Sequence, residues 1–264
     1  MPKVEVNHIQ LHYETAGSGA PVLLIGGLGA DTFLWFRQVG ELSRRFQVIN
    51  LDNRGAGESD KPDERYSIPM FATDAAGLLQ ALGIARAHVV GASLGGLIAQ
   101  EFALAHPALL DRLVLVSTTF GGRRAVAPSL ADHIRSLPKL RRSGDLTADT
   151  RSMFELLTTR EWFRAHPGVV DEYVAWRVAH PQPPRAYERQ RATSGYSVAK
   201  RVAQIAVPTL VVHGGKDRIV PVKNAHLLAA RIPHAKLAIL PNAGHACMID
   251  HADEFNRAVI EFLD

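Results

Sequence analysis

The chain has 264 residues, 47% of them hydrophobic and 21% charged, with a net charge of +4 at pH 7, an ordinary globular balance for one large α/β domain. No run approaches the roughly 18 consecutive apolar residues of a membrane-spanning helix, and the opening Met1-Pro2-Lys3-Val4-Glu5-Val6-Asn7 lacks the apolar core of a signal peptide. The single cysteine, Cys247, excludes an intramolecular disulfide, so a cytoplasmic protein is the expectation.

Short β-rich runs alternate with helical patterns along most of the chain. Strands are predicted at Lys3–Asn7 and Ile9–Glu14, an antiparallel pair joined at Asn7-His8, then at Val22–Ile25, Gln47–Leu51, His88–Val90, Leu113–Val116, Thr209–His213 and Lys236–Leu240. The last six are nearly continuous apolar runs, as expected of strands buried on both faces. Helices are predicted over Thr32–Arg45, Ile68–Leu82, Leu94–His106, Lys223–Ile232 and Ala252–Leu263, with Gly83 and Pro107 as terminators. The expected fold is therefore α/β: a mostly parallel eight-stranded sheet with helices on both faces.

The rhythm breaks after Ser117. Residues 120–200 hold no convincing strand and carry prolines at 128, 138, 167, 181, 183 and 184, which reads as short helices separated by turns. A helical cap over 120–200, inserted into a core made of 1–119 and 201–264, is the natural organisation. Residues 121–200 carry 14 Lys+Arg against 8 Asp+Glu, a net of +6, and the remainder is net −2. A solvated helical surface explains this better than a substrate-steering field. The scattered cations lack interleaved aromatics, so nucleic acid is not an expected partner, and neither is a membrane.

Chemistry concentrates at Gly91-Ala92-Ser93-Leu94-Gly95, between the strand Ala87-His88-Val89-Val90 and a helix starting at Leu94. Glycines on either side permit a sharp turn with the serine hydroxyl outward, and the Leu94 N–H, unpaired within the helix, can meet developing negative charge. A serine hydroxyl needs a base, and the base needs a carboxylate to fix its tautomer. Open α/β sheets place such groups at the carboxyl ends of strands. Asp217 qualifies, following Thr209–His213 across Gly214-Gly215-Lys216. His245 qualifies too, following Leu237-Ala238-Ile239-Leu240 across Pro241-Asn242-Ala243-Gly244. Of the 12 histidines it alone lies just past the carboxyl end of a strand in a glycine-containing loop. The second oxyanion donor is expected in Gly26-Gly27-Leu28-Gly29-Ala30-Asp31, with the Leu28 N–H the best choice.

On these residues the chain resembles the α/β-hydrolase superfamily, in its capped branch. The order Ser93, Asp217, His245 matches that family's nucleophile, acid and base. Leu51-Asp52-Asn53-Arg54-Gly55-Ala56-Gly57-Glu58-Ser59 is similar to its D-x-R-G-x-G-x-S loop, and Asn242-Ala243-Gly244-His245 to its G-H segment. The likeness covers residues 3–120 and 203–264. One departure is Gly26, where many relatives carry histidine before glycine; backbone donors do not need that side chain.

The resemblance implies a small-molecule hydrolase acting through an acyl-serine. Small carboxylic esters or lactones are the implied substrates, as in small bacterial carboxylesterases and 3-oxoadipate enol-lactonases. Serine at 93 argues against dehalogenases and epoxide hydrolases, which use aspartate there. The alternatives are carbon–carbon hydrolysis of a vinylogous diketone and, in another class, a non-enzymatic ligand-binding or signalling protein. No metal cluster or dinucleotide motif is present, so cofactor-free catalysis is expected. Candidate pocket residues are Trp35, Phe120, Phe154, Trp162, Trp176 and Tyr187, each of which has ordinary packing as its competing role.

Overall fold

A computed structural model describes residues 2–128 and 143–264. Eight strands form one sheet in the order β1-β2-β4-β3-β5-β6-β7-β8. They are β1 Lys3–Val6, β2 Ile9–Ala16, β3 Ala20–Ile25, β4 Phe46–Leu51, β5 Ala87–Ala92, β6 Leu110–Val116, β7 Thr209–Gly214 and β8 Lys236–Leu240. β2 pairs antiparallel with β1 and β4, and every other pairing is parallel. All eight expected strands are present. Asn7 and His8 turn the first hairpin with φ of 50° and 64°, the two positive-φ residues of a tight turn matched to strand twist.

Alternate residues of each parallel strand feed opposite faces of the sheet. Leu23, Ile25, Val89, Leu113, Leu115 and Val211 belong to one buried cluster. It includes Phe71, Leu78 and Leu79 of α2 (Ile68–Ala81), Leu97, Ile98 and Phe102 of α3 (Leu94–Ala105), and Ala225 and Leu228 of α8 (Lys223–Ala229). Val22, Leu24, Val90, Val114, Val116 and Val212 belong to the other, with Leu42 of α1 (Val39–Leu42). The same cluster holds Phe255, Val259, Phe262 and Leu263 of α10 (Ala252–Leu263). That i, i+4, i+7, i+8 spacing is one apolar stripe.

The helix expected over Thr32–Arg45 is broken. Thr32–Trp35 is a 3-10 turn, and only Val39–Leu42 is α-helical. Tertiary demands override the local pattern. Asp52 Oδ1 takes the Thr32 N–H at 2.7 Å, Trp35 is fully buried, and the buried Gln38 reaches Met248 O at 2.6 Å and Asn256 Oδ1 at 3.1 Å. The helix begun at Lys223 ends at Ala229 rather than Ile232.

Between β6 and β7 the described residues are helical: α4 Leu146–Leu157, α5 Arg160–Ala165, α6 Pro167–Ala179 and α7 Pro184–Arg191. An isolated bridge, Gly121 to Ser197, ties the two ends of this segment together. The part of the expected cap at 129–142 lies outside the described residues. Among the described residues, no helix is long and apolar enough to cross a membrane.

Candidate active site

Ser93 stands where β5 ends and α3 begins, with φ 54° and ψ −115°. A non-glycine residue in this region is strained and persists only when its surroundings hold it. The Ser93 N–H donates to Val116 O at 2.9 Å, while its carbonyl accepts from Thr118 Oγ1 at 2.7 Å and from the Gly96 N–H at 3.0 Å. Ser93 is half-buried between buried neighbours. The flanking glycines are required by contact: a Cβ on Gly95 would sit 2.2 Å from Ile25 O, and one on Gly91 would sit 2.3 Å from Gly95 O. Both are closer than atoms can approach, so α3 packs against the strand ends only without side chains there.

The carboxyl ends of the central strands are level. Ala92 pairs with Val116, Val116 with Val212, and Val212 with Ala238. Segments following β5, β6, β7 and β8 thus leave the same edge of the sheet. The turn after β7 is knitted to the loop after β8 by the Gly215 N–H on Leu240 O at 2.8 Å and the Lys216 N–H on Ala243 O at 2.9 Å. Asp217 is thereby brought to His245, whose Nδ1 lies 2.8 Å from Asp217 Oδ2. Both side chains are buried. A carboxylate oxygen accepts, so Nδ1 carries the hydrogen, and in the neutral ring Nε2 is then the nitrogen with the lone pair. Burial alone would raise the Asp217 pKa, but the His245 and His213 rings beside it outweigh burial and bring it down to about 2. Cys247, two residues past His245, has its Sγ 3.5 Å from Ser117 Oγ, so the histidine loop reaches past β7 to the end of β6.

The loop after β3 passes over Ser93. A Cβ on Gly27 would lie 3.3 Å from Ser93 Cβ and 3.9 Å from Ser93 Oγ, so bare backbone faces the hydroxyl. The loop is a turn closed by the Ala30 N–H on Gly27 O at 3.2 Å. Gln190 Oε1 of α7 occupies the Gly29 N–H at 2.9 Å, and Asn53 Nδ2 holds Gly26 O at 3.1 Å. None of these contacts uses the Leu28 N–H. Below the loop, Asp52 accepts the Thr32 and Glu58 N–H groups at 2.7 and 2.8 Å and meets His12 Nδ1 at 2.7 Å. Arg54 is held by Asp74 at 2.6 Å. The 51–59 motif is thus a brace under the loop after β3.

Phe154, Trp162 and Trp176 fall in one run of ring contacts, linked where the Phe33 and Tyr173 rings lie 6.4 Å apart. Phe154 stacks on Tyr173 at 3.9 Å and meets Trp162 edge-on at 6.3 Å. Trp176 stacks on Phe33 at 4.5 Å and donates Nε1–H to Asp31 Oδ2 at 3.2 Å; it borders a cleft of about 300 Å³ shared with His12, Thr32, Asp52 and Lys61. Trp35 and Phe120 are fully buried, on opposite faces of the sheet, and Arg231 covers the Phe120 ring at 4.7 Å. The Tyr187 ring lies against Gly29.

Several residues escape sequence reasoning. Buried Asp250, on α9 (Cys247–Asp250), accepts the Gly244 N–H at 2.7 Å and the Thr159 N–H at 3.2 Å, binding the histidine loop to the inserted helices. Burial raises its pKa against those hydrogen bonds and the neighbouring His251. The Ala246 N–H adds a 2.7 Å bond to Leu157 O, and Arg218 donates to Glu155, Leu156 and Thr158 carbonyls at 2.5, 3.2 and 2.9 Å. His213, Gln190 and Asp250 carry no local motif. The one available signal is the four-residue spacing from His213 to Asp217.

RutD of Azorhizobium caulinodans, a candidate carbamate hydrolase, is 32% identical over 263 residues, covering 99% of this chain and 98% of its own. The enol-lactonase from Burkholderia xenovorans LB400 superposes with a TM-score of 0.86 at 28% identity, covering 99% of each chain. A meta-cleavage product hydrolase from Pseudomonas fluorescens IP01 gives 0.85 over 100% of this chain and 97% of its own, at 24% identity, a likeness of fold alone. The profile described as alpha/beta hydrolase fold matches residues 20–252. The chain belongs to the α/β-hydrolase family.

Proposed function

We propose that this hydrolase cleaves a small carboxylic ester or lactone through an acyl-serine, with Ser93 as nucleophile, His245 as base and Asp217 as its orienting carboxylate. The observation that carries the reading is the 2.8 Å bond from His245 Nδ1 to Asp217, which leaves His245 Nε2 basic. Ser93 Oγ attacks the acyl carbon as Nε2 takes its proton, and Asp217 stabilises the imidazolium. The carbonyl oxygen becomes an oxyanion between the Leu28 and Leu94 N–H groups. Collapse expels the alkoxide, which takes the proton from His245. Water then attacks the acyl-serine with His245 again as base, releasing the carboxylic acid and restoring Ser93. The inserted helices 143–200 act as the cap over this site, and the chemistry uses no cofactor.

The carbamate in the description of the Azorhizobium relative and the lactone of the Burkholderia enzyme share one feature, an acyl carbon bonded to a heteroatom leaving group. That shared bond is the one assigned here. A panel of esters, lactones, carbamates and vinylogous diketones, run with wild type and Ser93→Ala, is the test. We expect turnover of p-nitrophenyl acetate that falls by about 10³-fold or more in Ser93→Ala. Turnover confined to the diketones would move the assignment to carbon–carbon hydrolysis. Turnover of nothing, with a ligand still bound tightly, would make the protein a binder.

A further inference from the structure

His213 occupies β7, four residues before Asp217, and its side chain is fully buried. Its Nε2 lies 2.8 Å from Val220 O and 3.1 Å from Asp217 Oδ2. A carbonyl oxygen only accepts, so Nε2 bears the hydrogen and shares it with the carboxylate. Among the described residues, the Nδ1 of His213 meets no hydrogen-bond partner, which fixes the tautomer.

The arrangement closes on itself. Val220 gives its N–H to Asp217 Oδ1 at 2.9 Å and its C=O to His213. Ile219 gives Oδ1 a second N–H at 2.8 Å. Oδ2 then lies between two imidazoles, His245 Nδ1 at 2.8 Å and His213 Nε2 at 3.1 Å. Donors on both oxygens prevent the carboxylate from rotating. The other ionisable groups near the pair have partners of their own. Arg218 donates to the Glu155, Leu156 and Thr158 carbonyls, and Asp250 is on the Gly244 and Thr159 N–H groups and His251. Cys247 faces Ser117, its thiol pushed up to about 12 by burial.

We infer that His213 is a positioning residue of the triad: it aims Asp217 Oδ2 at His245 and, by sharing that oxygen, limits how strongly Asp217 holds the His245 imidazolium. This rests on the reading of Asp217 and His245 as acid and base. Removing the shared donor has two consequences. The Ile219 and Val220 amides still hold Oδ1, but Oδ2 loses one of the two groups that fix its angle toward His245, which lowers kcat. Oδ2 becomes more basic, which favours the charged form of His245, so the acidic limb of the rate profile moves to higher pH.

The test compares wild type, Ser93→Ala, His213→Leu, His213→Asn and His213→Gln on p-nitrophenyl acetate, with thermal melts alongside. Glutamine can carry an amide N–H to the place of Nε2, whereas asparagine stops short of it. We expect His213→Leu and His213→Asn to lose about tenfold in kcat with KM unchanged. Their acidic limb should rise by about half a pH unit, and His213→Gln should recover most of both effects. A folded His213→Leu or His213→Asn with wild-type kcat and limb overturns the inference. So does a His213→Gln as impaired as His213→Leu. Wild type and Ser93→Ala turning over alike would instead overturn the triad reading, which separates the two failures.

Discussion

Gln190 and Gly29, 161 positions apart, are joined by one hydrogen bond: the Gly29 N–H donates to Gln190 Oε1 at 2.9 Å. The other end of the same amide donates to Arg54 O at 2.8 Å. A fully buried side chain of α7 thus spans the loop after β3 and the brace beneath it.

Gln190→Leu removes both bonds and leaves the Gly29 N–H and Arg54 C=O buried without partners. Each such group costs about 1–3 kcal/mol. The melting temperature is expected to fall. Because the turn that aims the Leu28 N–H is loosened, kcat is expected to fall by about tenfold while KM changes little. Unchanged kcat in a destabilised protein would separate the bridge from the chemistry.

Two alanine substitutions should part activity from folding. A Cβ on Gly27 meets Ala92 O and Ser93 Cβ at 3.3 Å, a tight contact that small shifts relieve. Gly27→Ala is expected to fold and to lose activity, because the shift falls on Ser93, the proposed nucleophile. A Cβ on Gly95 meets Ile25 O at 2.2 Å and Gly26 O at 2.6 Å, and neither backbone carbonyl can move without dislocating β3. Gly95→Ala is expected to lose about 3 kcal/mol or more of stability, read by urea titration.

Asp217 also sets an acid-stability window. Its pKa drops from an ordinary 3.8 to about 2 in the folded chain. A depressed carboxylate contributes stability that is complete above its ordinary value and disappears as pH falls toward 2. The contribution is about 2 kcal/mol. Asp217→Asn is therefore expected to lose stability less steeply than wild type between about pH 5 and pH 2. Its activity at neutral pH should fall by about 10³–10⁴-fold, because the amide no longer selects the right imidazole tautomer. Parallel stability curves for the two proteins would refute the assignment.

The thiol of Cys247 is fully buried, and its pKa is raised to about 12. Thiolate is the reactive form. Ellman's reagent is expected to leave the native protein unlabelled and to titrate one thiol after denaturation. Fast labelling of the native state would show that the segment after His245 opens readily.

Much of this was legible in the sequence because parallel strands and their turns are local. Val22–Ile25 and Leu113–Val116 announce buried strands by composition alone. The Gly91–Gly95 turn announces its geometry by the side chains it lacks. Asp217 and His245 stand out as candidates because a serine nucleophile would need them at strand ends, and the structure brings the two together at 2.8 Å. What stayed hidden depends on long-range contact. Thr32–Arg45 reads as a helix until Asp52, Met248 and Asn256 pull on Thr32 and Gln38. His213 reads as one more residue of an apolar strand until Val220 and Asp217 fold back onto its ring. Gln190 and Asp250 bind backbone groups in other segments, and no spacing within their own helices reports such a bond.

Asp250 Oδ2 accepts the amides of both Gly244 and Thr159, one in the histidine loop and one in the inserted segment. Two amides on one oxygen lose their protection together, so their solvent exchange should follow a single opening event. Through this shared oxygen the lifetime of the site's closed form would be readable in deuterium uptake at Thr159, a position with no part in bond breaking.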